Sequence, residues 1–163
     1  MKDKYIKILI ATHNQNKLKE FKKIFKDTNI DALSLKSFTK NVPIENGKSF
    51  KDNALIKAKY ASELTSYSYP TLADDSGICI NNLNDAPGIF SARWAYKNDY
   101  SFAFKKIKDS LNVKGLSING QLAKFVCVLA LIDTKKNEFI FQGTLKGKII
   151  FPPKGKNGFG YDP

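Results

Sequence analysis

Eight consecutive apolar residues, FVCVLALI at 125–132, run without interruption into Asp133. A strand with one wet face alternates apolar and polar residues; an unbroken run instead suits a central strand covered on both faces. TKKN follows as a turn, and EFIFQGTLKGKII, 138–150, reads as its antiparallel partner. The start of the chain repeats the theme. YIKILIA, 5–11, reads as a second buried strand, and THNQN turns it into KLKEFKKIFK, which places Leu18, Phe21, Ile24 and Phe25 on one helix face. A short strand is expected over 32–36, then a loop over 37–48 with Pro43 and Gly47. Ser49 reads as an N-cap with Asp52 at the acid position of a capping box. Behind them Phe50, Ala54, Ala58 and Ala61 form a narrow stripe that lets a helix lie close to a sheet. Asn53 and Lys57 stand one turn apart on a neighbouring face. Residues 71–74 read as a strand ending on Asp74-Asp75, with Ile78–Ile80 extended beyond. Residues 99–111 suggest a helix anchored by Phe102, Ile107 and Leu111, and 112–121 a polar loop.

At 163 residues the expectation is one domain with a real core. No apolar run reaches the length of a membrane span. The apolar stretch after MKDKY is too short for a signal sequence, so a cytoplasmic location is expected. Cys79 and Cys127 lie far apart inside apolar runs and read as buried thiols. Lys and Arg number 27 against 15 Asp and Glu, a net charge of +12. That field attracts polyanions. Yet Arg93 is the only arginine, and readout of base edges favours arginine, so no dedicated nucleic-acid partner is expected.

Against this excess of lysine, the pair Asp74-Asp75 in ADDSGI stands out. Adjacent carboxylates repel unless a cation or water intervenes. Turn capping is the ordinary explanation for such a pair. With Glu45, and without histidine or cysteine partners, the acids suit a hard cation of the Mg²⁺ kind. THNQNK, 12–17, lies between a strand and a helix, where free N–H groups favour phosphate. It lacks the glycines of a P-loop, and a capped turn would look the same. His13 is the only histidine, which excludes a histidine-built zinc site; it reads as a loop residue near the site. SARW, 91–94, holds the only arginine and the only tryptophan. PKGKNGFGYDP, 153–163, combines lysines, glycines and two aromatics. Glycines let backbone approach a ligand, and Phe159 and Tyr161 offer flat faces for a base. A flexible loop is the plainer reading of that segment.

Taken in order, THNQNK, ENGKSFKDNALIKA, ADDSGI, APGIFSARWA and GFGYDP resemble the signature of the inosine triphosphate pyrophosphatase family, the dITP/XTP pyrophosphatases. The resemblance covers residues 11–163 and rests most on ADDSG and SAR at this spacing. It implies an α/β fold, an elongated mixed β-sheet flanked by helices, in two lobes with a central nucleotide cleft, in a homodimer. It implies hydrolysis of ITP, dITP and XTP to monophosphate and pyrophosphate, which cleanses the nucleotide pool. Asp75 would be the catalytic base, with Glu45, Asp75 and Asp74 at a Mg²⁺ ion. Thr12, Asn14, Lys17, Lys57 and Ser76 would hold the triphosphate. Phe159, Gly160, Tyr161 and Asp162 would line the base pocket, with Arg93 there or bolstering the cleft. The family pattern continues past G-Y-D-P to a Ser-His-Arg motif that reads the purine edge. The expectation is therefore a single pyrophosphatase domain over 1–163 that lacks this C-terminal segment, with weakened base selectivity. Two alternatives stand beside it: a pyrophosphatase of modified pyrimidine nucleotides, and a lysine-rich nucleotide or nucleic-acid binder of the same fold with little activity.

Overall fold

The computed structural model describes residues 5–97 and 99–163. Its elements are β1 (Ile6–Ile10), α1 (Gln15–Ile24), β2 (Ile30–Ser34), α2 (Phe50–Leu64), β3 (Thr71–Ile80), α3 (Ser91–Trp94), α4 (Tyr100–Asn112), β4 (Leu122–Ile132) and β5 (Glu138–Lys148). The strands form one sheet in the order β2-β1-β3-β4-β5. β1 runs parallel to both β2 and β3. The connection from β4 to β5 is the tight turn Asp133–Asn137, closed by Asp133 N–H on the Asn137 carbonyl at 3.1 Å. So short a link joins only antiparallel strands, and the sheet is mixed. The chain condenses into two units: residues 1–75 with 128–142, and residues 76–127 with 143–163. Among the described residues no helix is long and apolar enough to cross a membrane.

In the first unit the connections decide where the helices lie. α1 carries the chain from β1 out to β2, and α2 carries it back past β1 to β3. Parallel crossovers are right-handed, so reversing their direction puts α1 and α2 on opposite faces of the sheet. On the α1 side Ile10, Leu18, Ala32 and Leu72 form a core with Phe21, Phe25, Leu129 and Leu131 packed against it. Ile24 is 67% exposed. It sits six residues after Leu18, off the stripe that Leu18, Phe21 and Phe25 make, so its expected place on that face is corrected. On the other side Ala54, Ala58 and Ala61 are fully buried, as a close helix–sheet approach requires. Ser49 caps α2 as its sequence suggests, Oγ accepting the Asp52 N–H at 3.1 Å, while Asp52 Oδ2 accepts the N–H of Lys48, one residue before the cap, at 3.2 Å.

The second unit has its own core of Ile78, Ile80, Leu83, Ile107, Leu111 and Ile118. α4 contributes Ala103, Ile107 and Leu111 to burial. Phe102, expected as an anchor, is 51% exposed and packs on Tyr96 instead, with Ala103 taking the inward position. Cys79 is buried and Cys127 half-buried, and both are free thiols.

Two boundaries also differ from the sequence reading. β2 begins at Ile30 and ends at Ser34, whose hydroxyl accepts the Lys36 N–H and starts a 3₁₀ turn. The larger difference is β3. Its ten residues, TLADDSGICI, run unbroken, so Asp74 and Asp75 lie inside a strand and not at its end. Ser76-Gly77 therefore makes no turn.

Candidate active site

β3 explains the acid pair. Successive side chains of a strand point to opposite faces. Asp74 and Asp75 are thus directed apart, one toward each covering helix. Asp74 Oδ2 forms an ion pair with Lys17 Nζ of α1. Asp75 Oδ1 meets Lys57 Nζ of α2 at 3.1 Å, and its Oδ2 accepts from Asn53 Nδ2 at 3.2 Å. The neighbours do not face each other, and each has a cation on its own side. Both are buried, at 5% and 7% exposure, and buried charges persist only when paired.

The loop before α2 brings a third carboxylate to Lys57. Glu45 Oε1 lies 3.5 Å from Lys57 Nζ, so one ammonium serves both Glu45 and Asp75. Gly47 makes this approach possible. Its N–H donates to Asn53 Oδ1 at 2.9 Å, and a Cβ there would fall 2.6 Å from that same oxygen. Burial raises the Asp75 pKa above the usual carboxylate value; Lys57 and the Asn53 hydrogen bond oppose the shift, and Glu45 adds to it.

α1 opens beside this cluster. β1 ends at Ile10 opposite Leu72, while β3 runs on, so Thr12–Asn14 leave the sheet near Asp74. Thr12 Oγ1 accepts the Asn14 N–H at 3.1 Å, and Asn14 Oδ1 accepts the Asn16 and Lys17 N–H groups at 2.9 and 3.4 Å. Their oxygens are used for capping, which leaves the Thr12 hydroxyl proton and the Asn14 amide as donors. A ring nitrogen of His13 lies 3.2 Å from the Thr39 carbonyl, pinning the loop. The whole group sits where the strand order reverses, beyond the carboxyl end of β1. Open α/β sheets bind ligands at such switch points.

The other expected residues belong to the second unit. Ser76 follows Asp75 in β3 and is half-buried. Ser91, buried, accepts the Ile78 N–H at 3.0 Å and donates to the Gly88 carbonyl at 2.7 Å. Its own carbonyl accepts the Tyr161 hydroxyl at 2.9 Å. The Tyr161 ring meets Tyr100 and Phe104 edge-on at 5.1 and 5.8 Å, and burial raises its pKa well above the usual phenol value. Gly160, at φ +73°, lies against the Tyr100 ring, where a Cβ would come within 3.2 Å. Phe159 and Asp162 pair across this turn. Arg93 stacks over Phe90 at 5.1 Å. A cavity of about 340 Å³ is walled by Phe104, Phe125, Phe151, Tyr161 and Asp162, with Lys146, Lys148 and Lys154 also lining it.

Lys57 between Glu45 and Asp75 shows that these two carboxylates converge on one cation position. Oxygen-only donors of this kind fit a hard divalent ion. Among the described residues no three His, Cys, Asp or Glu side chains stand close enough together to enclose one. Sequence reasoning places Asn53 beside Lys57 but gives it no role; the structure shows it linking the Glu45 loop to Asp75.

The fold and site define an α/β protein with a carboxylate–lysine cluster at the topological switch of its sheet. The chain belongs to the Ham1 family, whose sequence model matches residues 8–163. It is 39% identical over 158 residues to a dITP/XTP pyrophosphatase of Zymomonas mobilis, covering 96% of this chain and 74% of that protein. A dITP/XTP pyrophosphatase of Acinetobacter baumannii is 41% identical over 164 residues, covering 96% and 76%. The solved structure of a HAM1 protein from Coxiella burnetii matches with a TM-score of 0.82 at 38% identity, covering 97% of this chain and 80% of that one. The Staphylococcus aureus Ham1 protein matches at 0.78 and 31%, covering 96% and 79%.

The shifted carboxyl has a consequence for stability in metal-free protein. Asp75 holds its proton more tightly when folded than when unfolded. Its contribution is fully present below the ordinary value of 3.8 and is lost as pH rises through the folded value. Asp75→Asn lacks this loss. Denaturant titrations from acid to neutral pH should show its stability relative to wild type increasing with pH. A difference independent of pH would remove Asp75 as the group responsible.

Proposed function

We propose that this chain is a nucleoside triphosphate pyrophosphatase acting on non-standard purine nucleotides, ITP, dITP and XTP. Water is added across the α–β phosphoanhydride, and monophosphate and pyrophosphate leave. The observation that carries the reading is the Lys57-bridged pair Glu45 and Asp75 at the sheet's switch point. Membership of a family with relatives named dITP/XTP pyrophosphatase supports it.

Asp75 takes the proton from the attacking water. A buried carboxylate with a raised pKa is a better base at neutral pH than an exposed one. Asn53 and Lys57 hold its two oxygens in place. Glu45 and Asp75 would hold Mg²⁺, which would supply charge neutralisation at the phosphates and polarise water; Asp74, expected beside them, is directed to the other face of β3 toward Lys17 and would not join them as a ligand. Lys17, Lys57, Thr12, Asn14 and Ser76 bind phosphate oxygens. Phe159, Gly160, Tyr161 and Asp162 line the base pocket, a role supported for Tyr161 and Asp162 by their place in the aromatic-walled cavity. The finer setting is a cytoplasmic homodimer over a single pyrophosphatase domain; sedimentation would test the dimer. Burying two acids gives nothing to a pure polyanion binder, so the non-catalytic alternative is not favoured.

The decisive experiment incubates the protein with ITP and Mg²⁺ and separates the products. IMP and pyrophosphate in equal amounts are expected; inosine diphosphate and phosphate would reject the reaction. Lys17→Ala should raise KM with little change in kcat, and the penalty should shrink as salt rises, because a lysine near the surface acts on phosphate as a screened point charge. An unchanged KM with a fall in kcat would assign Lys17 to the transition state.

A further inference from the structure

We infer that Asn53 is the positioning residue of this site: it fixes the distance between the loop that carries Glu45 and the Asp75 carboxylate. The inference rests on the pyrophosphatase reading and deepens it. Asn53 is fully buried, in the first turn of α2. Its two amide atoms face opposite demands. The Gly47 N–H can only donate, so Oδ1 must face it, at 2.9 Å. That orientation turns Nδ2 toward Asp75 Oδ2, at 3.2 Å. A flipped amide would set N–H against N–H and oxygen against carboxylate. The network therefore fixes the orientation.

No other side chain of this size does both tasks. Aspartate offers the acceptor but places a carboxylate against Asp75. Leucine keeps the volume and offers neither. Glutamine is one methylene too long for a space in which Gly47 already lies close. The bridge joins two chain segments that Lys57, a long side chain with many rotamers, also links. The lysine supplies charge; the short buried amide supplies a fixed length. Glu45 and Asp75 can be presented to one cation only if the loop and the strand keep their spacing. Gly47 is the other half of the device, since any Cβ there meets Asn53 Oδ1 and Asp52 Cβ at 2.6 Å.

The test compares wild type, Asn53→Ala and Gly47→Ala. Thermal unfolding first establishes that each variant is folded. Two readouts follow: kcat and KM for ITP, and Mg²⁺ affinity by calorimetry without nucleotide. Groups that orient ligating carboxylates are worth roughly 10–100-fold in metal affinity or activity. Asn53→Ala is expected to lose kcat and Mg²⁺ affinity in that range, with KM within about twofold. Gly47→Ala should move the same quantities in the same direction, although Asn53 is intact. A residue that only holds the fold would lower the melting temperature and leave the kcat of folded protein unchanged. Wild-type kcat and Mg²⁺ affinity in either folded variant overturn the inference. If Asn53→Ala does not fold, Gly47→Ala decides. If wild type binds Mg²⁺ but does not hydrolyse ITP, the pyrophosphatase reading fails and Mg²⁺ affinity alone decides this one. A wild type that does neither overturns both.

Discussion

Asp75→Asn lowers turnover of ITP at least about a hundredfold, while nucleotide still binds. A positioned general base contributes roughly 10²–10⁴ in rate. The carboxamide cannot accept the proton and is a poor ligand for a hard cation. It is nearly isosteric, however, so Asn53 and Lys57 keep a neighbour of the same shape. Folding should survive, and the loss should appear in kcat. Steady-state kinetics at saturating Mg²⁺ provide the check. Turnover near that of wild type would move the base to another residue.

Lys57→Ala has the largest expected effect on stability, about 3 kcal/mol near neutral pH. Removing one partner of a buried ion pair costs roughly 3–5 kcal/mol because it strands the other charge. The low end applies because Asp75 can take up a proton. Lys57 pairs with both Glu45 and Asp75, and its own side chain is 13% exposed. Its loss leaves two carboxylates facing each other. Mg²⁺ should restore more stability to this variant than to wild type, since a divalent ion can take over the bridging charge. Denaturant titrations with and without Mg²⁺ measure both effects. Equal stability of variant and wild type would reduce the lysine to a phosphate contact alone, its role on sequence grounds.

The sequence made the helices and strands legible where their period is strong. The apolar run at 125–132 lies in β4 and the run at 5–11 contains β1, though only Leu9 and Ile10 of that strand are buried and Ile6 is exposed; the alanine stripe of α2 is buried. β3 was harder. Inside ADDSGI no apolar alternation marks a strand, and Ser-Gly suggests a turn; the backbone is held extended by the strands beside it, which local sequence does not reveal. Ile24 and Phe102 were misplaced for a related reason. A helix periodicity accepts neighbours of the stripe, and only the packed surface selects among them. The acids stand out by their own chemistry, their roles and those of the lysines come from a family resemblance, and their pairing comes from geometry. Nothing in ADDSG says that Asp74 belongs to Lys17 and Asp75 to Lys57. The role of Asn53 stayed hidden because a polar residue near a helix start ordinarily reads as surface.

The placement of the acid pair within a strand gives this site an unusual genetic vulnerability. Substitutions at 71–73 change packing, and a conservative one leaves the acids where they are. A deletion or insertion of a single residue there acts differently. A one-residue slip turns every following side chain to the other face of a strand. The carboxylate that met α2 would then be presented to α1, and its neighbour to α2. The residues would all be present, in the right order, and an alignment would score them as intact. The two half-sites would nevertheless have exchanged their acids. Parity, the odd or even count of residues from the start of β3 to the pair, is thus an inherited property of the chain that residue identity alone does not record.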